Sequence, residues 1–224
     1  MMFVQLEHVS KTIKQNRVLD DISVGFERGK IYGLQGKNGS GKTMIMKAIC
    51  GFIRIDEGRV IVDEKIIGKD QDFPTNAGAL IETPGFIGGY SAYRNLKDLA
   101  GIRNVIDDER ILEVIDQVGL ADAGKKKYRH YSLGMKQKLG IAAAIMEYPE
   151  LIILDEPTNA LDEESVKKLR EILLKEKERG ALLIISSHDA EELEYLSDEI
   201  YLIENGKIKG HKVNDKVGEK TEDE

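Results

Sequence analysis

The fold of this chain is decided by residues 36–43, which read Gly36-Lys37-Asn38-Gly39-Ser40-Gly41-Lys42-Thr43. The run fits the pattern Gly-x-x-x-x-Gly-Lys-[Ser/Thr], in which glycines let backbone N–H groups point at phosphate oxygens and the lysine adds a positive charge. A strand-like run (30–35) precedes it and a helix-like run (44–50) follows, so bound phosphates would meet a helix N-terminus. The stretch therefore predicts a nucleotide-binding P-loop.

A second run, Leu151 to Pro157, is an apolar strand that ends in Asp155 and Glu156. In P-loop enzymes the hydroxyl after the lysine binds Mg²⁺, which makes Thr43 and Asp155 the expected metal ligands. Glu156 follows at the strand end, where it could hold or deprotonate the water that attacks the γ-phosphate. Turn formation or helix capping is the alternative role for the Asp-Glu pair, and the nearby P-loop favours nucleotide hydrolysis.

Two more polar positions stand where helices are expected to begin. His188 follows an apolar strand in Ser186-Ser187-His188-Asp189. Its spacing is typical of a capping loop, but its place one strand beyond Asp155 puts it at the sheet edge where ligands bind, so it could contact the γ-phosphate. Ser132 opens another helix-like run, either as an N-cap or as part of an anion site.

The remaining chain divides by pattern into three parts. Three strand-like runs within 2–35 predict an antiparallel start, helical spacing from 84 to 148 predicts an inserted helical segment, and strand–helix alternation resumes at 151. One predicted helix in the insertion carries the apolar stripe Ile111, Leu112, Val114, Ile115 and Val118. We predict one domain over 1–213, with a helical subdomain at about 84–148, and a charged, disordered tail over 214–224.

The composition bounds the possible functions. The chain has 224 residues, 41% of them hydrophobic, which allows one α/β domain with a well-filled core. A net charge of −7 argues against a surface that coats nucleic acid. The single cysteine, Cys50, lies in an apolar stretch and is expected to be a buried packing thiol. No secretory signal or membrane-spanning run is visible, so we expect a cytoplasmic protein.

Taken in order, these motifs resemble the ATP-binding cassette (ABC) superfamily, specifically the nucleotide-binding subunit of an ABC transporter. The resemblance runs from Phe3 to about Lys209 and rests on five ordered motifs. They are the P-loop at 36–43, a signature motif at 132–137, the strand at 151–157, a D-loop at 159–162 and a switch histidine, His188. By that likeness the fold is an α/β P-loop NTPase core with an N-terminal antiparallel β region and an inserted helical subdomain.

The resemblance implies ATP hydrolysis with ATP and Mg²⁺ as cofactors. Two cassettes would pair head to tail, each nucleotide lying between one P-loop and the Ser132 and Gly134 of the other copy, while Asp162 links the two sites. The implied catalytic residues are Glu156 and His188, and the implied metal ligands are Thr43, Asp155 and Glu82. The implied nucleotide-binding residues are Ile13, Gly36, Lys37, Asn38, Gly39, Ser40, Gly41, Lys42, Thr43, Met44, Ser132, Gly134 and Asp162.

Three departures from the family pattern stand out. Ile13 occupies the place of an aromatic residue that stacks on adenine, and it offers apolar contact without a π face. Glu82 occupies the place of a glutamine that senses Mg²⁺ and water. The signature has Leu133 and Met135 in place of a glycine and a glutamine. The signature changes, with Glu82-Thr83-Pro84, resemble the subgroup that exports bacitracin-type or lantibiotic peptides and confers immunity.

The likeness also implies partners: a second cassette, identical or different, and an integral membrane permease, with the chain peripheral on the inner face of the cell membrane. Phe86, Tyr90 and Tyr93 are candidate permease contacts, and local packing is the alternative role for these aromatics. No nucleic-acid partner is expected. Two alternative functions are a cassette ATPase in DNA repair or translation, and a nucleotide-dependent sensor with little hydrolysis, the latter motivated by Ile13 and Glu82.

Overall fold

The computed structural model describes residues 2–214. Its strands are β1 (Met2–Ile13), β2 (Asn16–Glu27), β3 (Ile31–Gln35), β4 (Glu57–Val62), β5 (Lys65–Ile66), β6 (Ala77–Leu80), β7 (Leu151–Asp155), β8 (Leu182–Ser187), β9 (Glu199–Glu204) and β10 (Lys207–Val213). Its α-helices are α1 (Lys42–Ile49), α2 (Ala92–Arg103), α3 (Asp108–Gln117), α4 (Leu133–Ile145), α5 (Glu163–Glu178) and α6 (Ala190–Leu196). None of the helices in this range is long and apolar enough to cross a membrane.

The strands of the described chain form two sheets. A four-stranded antiparallel sheet has the order β2-β1-β4-β5, and a six-stranded sheet has the order β10-β9-β3-β8-β7-β6. In the larger sheet β10 runs antiparallel to β9, and the other pairs are parallel. Gln35 pairs with Ser187 and Asp155 pairs with Ser186, so β3, β7 and β8 end at one edge. The P-loop, Asp155 and His188 therefore meet there, as their places at strand ends predicted.

The parallel strands are buried on both faces. In β7, Leu151 and Ile153 belong to a core cluster shared with α1 and the four-stranded sheet. Ile152 and Leu154 point the other way, into a second cluster formed with helices α2 to α6. All four side chains are fully buried, which explains why the sequence of β7 is continuously apolar rather than alternating.

The inserted helices begin where the sequence places caps. The Ser91 hydroxyl accepts the Arg94 N–H at the start of α2, and the Asp107 carboxylate accepts the Arg110 N–H at the start of α3. These bonds satisfy backbone donors that the first helical turn leaves free. The helical part is not set apart from the sheet, because α4 packs on β6 and β7 and its side chains join the same core cluster as Ile152 and Leu154.

One expectation differs from the structure, one strand was not predicted, and one expectation is not tested. Leu112 is 56% exposed, because the buried stripe is narrower than predicted and takes Ile111, Val114 and Ile115 of α3 and Val118 just after the helix. Strand β10 was not anticipated, since its alternation of lysines with small and apolar residues carries little β signal and it forms by pairing with β9. The predicted tail lies outside the described residues except for Asn214, whose Nδ2 donates to the Ser197 carbonyl.

Candidate nucleotide site

Helix α1 starts inside the P-loop with its N-terminus open. Gly41, at the cap position, has a φ of 115°, and within the described chain no side chain caps the first turn of the helix. No acidic residue lies in that turn either. Its backbone N–H groups and the positive end of the helix dipole are therefore available to an anion, as binding of a phosphate requires.

The loop that precedes α1 is tightly packed against the end of β9. A Cβ atom at Gly36 would overlap the carbonyl oxygen of Ile203 and lie 2.6 Å from the Ser40 hydroxyl, so only glycine fits. The Ser40 Oγ atom is buried and has no hydrogen-bond partner among the described residues. An unpartnered Ser40 hydroxyl at a phosphate-binding loop is consistent with a bound ligand whose oxygen atoms accept a hydrogen bond from it.

Lys42 is folded back into its own loop. Its Nζ atom donates to the carbonyl oxygens of Gly36 (2.6 Å) and Lys37 (3.3 Å) and lies 3.6 Å from Oε1 of Glu156. The side chain is only 5% exposed, so these oxygens rather than water solvate the ammonium. The lysine charge thus lies beside the loop, where phosphate oxygens could replace the two carbonyl oxygens as its hydrogen-bond acceptors.

Thr43 and Asp155 come together as predicted for the metal ligands. The Thr43 hydroxyl donates to Oδ2 of Asp155 at 2.7 Å, joining the first turn of α1 to the end of β7. The other carboxylate oxygen, Oδ1, accepts a hydrogen bond of 2.5 Å from the Ser186 hydroxyl. A hydroxyl and a carboxylate are hard oxygen ligands, and Mg²⁺ in nucleotide sites takes one or two of these together with phosphates.

Glu156 and His188 face each other at the same edge. Nδ1 of His188 lies 2.7 Å from Oε2 of Glu156, and because a carboxylate oxygen accepts, this contact places a proton on Nδ1. The remaining oxygen, Oε1, is buried without a hydrogen-bond partner in the described structure, although the Lys42 charge is near. One carboxylate oxygen is thus oriented by the histidine while the other keeps its capacity to accept a proton.

The signature segment reaches the same region through α4. Ser132 caps α4 by accepting the Met135 N–H, and Gly134 lies so close to the backbone of Ala160 that a Cβ would stand 2.6 Å from its carbonyl oxygen. Asp162 caps α5 by accepting the Ser165 N–H at 2.8 Å, and hydrogen bonds from Ser165 lower the pKa of the Asp162 carboxyl. Ser132, Gly134 and Asp162 are not among the residues that line the cavity of about 570 Å³ beside the P-loop.

Three predicted residues are not brought to this centre. Ile13 ends β1, is 40% exposed, and does not line the cavity of about 570 Å³ between the P-loop and the end of β9. The Glu82 carboxylate pairs with Lys47 of α1 at 2.5 Å rather than with Thr43 or Asp155. Met44 packs at the margin of the core beneath the loop. Their assigned roles stay predictions.

The structure adds residues that sequence reasoning missed. Ser186 bonds Asp155, Gln137 donates to the carbonyls of Glu156 and Pro157, and Leu202 to Asn205 line the cavity. Two consecutive serines at the end of the apolar strand β8 were a usable signal, because fully buried strand positions rarely carry hydroxyls without a partner. Gln137 lies in the signature motif at 132–137, but nothing in the sequence signalled its contact with Glu156 and Pro157, since that contact depends on how α4 packs beside β7.

The α/β core brings the P-loop, the Thr43–Asp155 pair and the Glu156–His188 pair to one edge of the sheet. This arrangement is typical of P-loop nucleoside triphosphatases. The family model described as "ABC transporter" matches residues 19–159. The chain belongs to the ABC transporter family, as the ordered motifs predicted, and within it to the proteins that bind and hydrolyse ATP.

Several relatives are similar over almost the whole chain. An ABC transporter ATP-binding protein of Bacillus subtilis, YybJ, is 43% identical, over 92% of this chain and 94% of its own length. The lantibiotic transport ATP-binding protein SrtF of Streptococcus pyogenes is 36% identical, over 92% and 88%. The bacitracin transport ATP-binding protein BcrA of Bacillus licheniformis is 36% identical, over 92% and 68%. The predicted resemblance to the bacitracin and lantibiotic subgroup is confirmed.

The fold is also that of solved cassettes. The ATP-binding subunit of an ABC transporter superposes with a TM-score of 0.87 at 24% identity, covering 94% of this chain and 90% of that one. The predicted fold class is confirmed. Because the relatives are named as transporter subunits, the transporter interpretation is favoured over a role in DNA repair or translation.

Proposed function

We propose that this chain hydrolyses Mg-ATP as one of a pair of cassettes that drive a membrane permease, and that the exported cargo is a peptide antibiotic. The observation that carries the proposal is the meeting of Lys42, the Thr43–Asp155 pair and the Glu156–His188 pair at one sheet edge. These groups supply a phosphate anchor, metal ligands and a proton acceptor within a single cleft.

Glu156 is the group that accepts a proton from the attacking water. Its unpartnered oxygen Oε1 retains acceptor capacity, and the contact between Oε2 and His188 fixes the direction of the carboxylate. Lys42 moves from the loop carbonyls to the terminal phosphates, where it stabilises negative charge. Mg²⁺ would be held by Thr43 and Asp155, and when bound it neutralises charge on the β- and γ-phosphates.

The rest of the site supports pairing of two cassettes. Ser132 and Gly134 lie at the start of α4 and Asp162 lies at the start of α5, and none of them lines the cavity beside the P-loop of the same chain. Such a placement fits residues that complete the nucleotide site of a second copy. We assign 1–213 as the ATP-binding domain, with 84–148 as its helical subdomain.

The transport partner is an integral membrane permease that holds the chain at the inner face of the cell membrane. The names of SrtF and BcrA support a lantibiotic or bacitracin-type peptide as the cargo. Among the proposed permease contacts, Phe86 packs edge-on against Tyr128 and Tyr90 lies beneath Arg94, whereas Ile87 between them is 53% exposed. The surface offered to the permease therefore includes Ile87.

The hydrolytic role is tested with Glu156→Gln. The amide keeps the shape of the side chain but is a far weaker proton acceptor, so we expect Mg-ATP affinity to persist while turnover falls by about 10²-fold or more. ATP hydrolysis and Mg-ATP titration are measured on the same preparation, with Glu171→Gln on the exposed face of α5 as a matched control. Wild-type turnover in Glu156→Gln would refute the assignment.

The transport role is tested by purification from the native cell. The tagged chain is isolated from gently solubilised membranes, and proteins present in stoichiometric amount are identified by mass spectrometry. We expect a multi-span membrane protein and, in a heteromeric transporter, a second cassette. Recovery of ribosomal or DNA-bound proteins in its place would move the chain to the DNA-repair or translation class.

A further inference from the structure

Glu156 has an unusual backbone conformation. Its φ is 49°, in the left-handed region that residues other than glycine seldom adopt. The side chain is also nearly buried, at 17% exposure. A strained conformation of this kind persists only where surrounding contacts over-determine it. The question is which contacts hold Glu156 in this state.

On its amino side, the Glu156 peptide is held by Ser186 of β8. The Ser186 hydroxyl oxygen accepts the Glu156 N–H at 2.9 Å and donates its proton to Oδ1 of Asp155 at 2.5 Å. Ser186 is 0% exposed, so water does not compete for either bond. A hydroxyl has a single proton to donate, and here that proton goes to Asp155 while a lone pair takes the N–H of Glu156.

On its carboxyl side, the Glu156 residue is held by Gln137 of α4. Nε2 of Gln137 donates to the carbonyl oxygens of Glu156 and Pro157, both at 3.2 Å, so both amide protons are used. The Glu156 carbonyl also accepts the Asn159 N–H within its own turn at 3.2 Å. Because α4 begins at the signature serine, Gln137 joins the signature helix directly to the loop that carries Glu156.

We propose that Ser186 and Gln137 are positioning residues for ATP hydrolysis, forming a two-sided clamp that holds the Glu156 peptide left-handed and aims its carboxylate at Lys42 and His188. Ser186 has a second task, since it also orients Asp155 toward Thr43. This inference rests on the proposed hydrolytic role of Glu156. Neither residue touches the reacting atoms, so each acts through the group that it holds.

The two halves of the clamp make different predictions. Among the described residues, the Gln137 amide donates to the backbone carbonyls of Glu156 and Pro157 and to no carboxylate, so its loss lowers kcat and leaves nucleotide affinity unchanged. Ser186 contacts both carboxylate-bearing residues, so its loss lowers kcat and also weakens the contribution of Mg²⁺ to nucleotide binding. Misplacing a catalytic group by about 1 Å can cost about 10²-fold in rate, so for the smaller displacement expected here we take a loss of about tenfold for both variants.

The experiment compares Ser186→Ala and Gln137→Leu with two matched controls. Ser197→Ala removes another fully buried serine hydroxyl, which has no hydrogen-bond partner among the described residues. Gln117→Leu removes a glutamine amide from helix α3, where Nε2 donates to the exposed Glu113 at 2.8 Å. For each protein we measure kcat and KM for ATP, the affinity for ADP with and without Mg²⁺, and the melting temperature.

We expect kcat to fall about tenfold in both clamp variants and to stay at the wild-type level in both controls. KM should be unchanged in Gln137→Leu, and in Ser186→Ala the affinity for Mg-ADP should fall while that for metal-free ADP does not. If Ser186→Ala does not fold, Gln137→Leu decides the matter alone. Wild-type kcat in the clamp variants, or losses that the controls share in proportion to melting temperature, would overturn the clamp.

Failure of the clamp is distinguishable from failure of the proposed function. If wild-type turnover does not exceed that of Glu156→Gln, the hydrolytic role itself is wrong. If turnover depends on Glu156 while both clamp variants match the wild type, only the clamp is wrong.

Discussion

At the scale of one residue, the buried charge of Lys42 is stabilised by neighbouring oxygen atoms in place of water. Its ammonium has two loop carbonyls and the Glu156 carboxylate as partners, and almost no contact with water. Phosphate oxygens are acceptors of the same kind with more negative charge. Nucleotide binding therefore replaces one set of oxygen partners with a stronger one and leaves no bare ammonium in the cleft.

Cys50 is a packing residue, as the sequence predicted. It is 3% exposed at the end of α1, and burial raises the pKa of its thiol to about 12. The thiolate is the reactive form, so at pH 8 only about one native molecule in 10⁴ carries it. We expect an aromatic disulfide reagent to leave native Cys50 unmodified at pH 8 and to label it fully in urea, as followed by absorbance. Rapid labelling of the folded protein would contradict its burial.

At the scale of elements, α4 is the helix that joins the signature segment to the sheet. Its residues Leu139, Ile141 and Ile145 are buried, and it lies so close to β6 that any Cβ at Gly78 would overlap the carbonyl oxygen of Ala144. Only glycine at position 78 leaves room for α4 to pack this close to β6. It lets the helix approach the sheet closely enough for Gln137 to reach the loop after β7.

Gly78→Ala tests this packing. The added methyl has no room, so we expect a loss of about 1–3 kcal/mol in the free energy of unfolding, with lower ATPase activity because α4 is displaced. Gly101→Ala is the control, since it lies within α2 with no atom near the added methyl, and we expect it to gain about 0.5–1 kcal/mol. Urea denaturation followed by circular dichroism measures both. Equal stability of the two variants would refute the close packing of α4.

At the scale of the whole molecule, two core clusters share the same strands. In β8, Leu182 and Ile184 face the cluster beside α1, and Leu183 and Ile185 face the helical cluster. Because β7 and β8 contribute side chains to both clusters, disorder in either strand would disrupt the packing of both clusters at once. The described chain is therefore expected to unfold as a unit.

Ile152→Ala and Ile153→Ala test this unity, because they remove neighbouring side chains from opposite faces of β7. We expect each to lower the stability of one common transition by about 2–5 kcal/mol through the lost transfer energy and the cavity left behind. Ile102→Ala, at a position 79% exposed, should change stability by less than about 0.5 kcal/mol. Two separate transitions, each sensitive to one of the buried substitutions, would show that the clusters fold independently.

The parts of the site whose chemistry is local could be predicted from the residues alone. The P-loop and the apolar strand ending in Asp155 and Glu156 follow from residue type at fixed spacing, because backbone hydrogen bonding and strand burial act over a few residues. The meeting of strand ends at the catalytic edge followed as well, since parallel strands bring their carboxyl ends together. These local patterns, taken in order along the chain, are enough to indicate the class of protein.

Contacts between groups distant in sequence could not be predicted and were found only in the folded chain. The pairing of β10 with β9, the exposure of Leu112, the attachment of Glu82 to Lys47 and the clamp of Ser186 and Gln137 on Glu156 depend on how separate elements pack together. Such contacts follow from sheet register and from the depth to which α4 packs. Those features are set by the sum of many side-chain contacts across the core, and no short stretch of sequence encodes them.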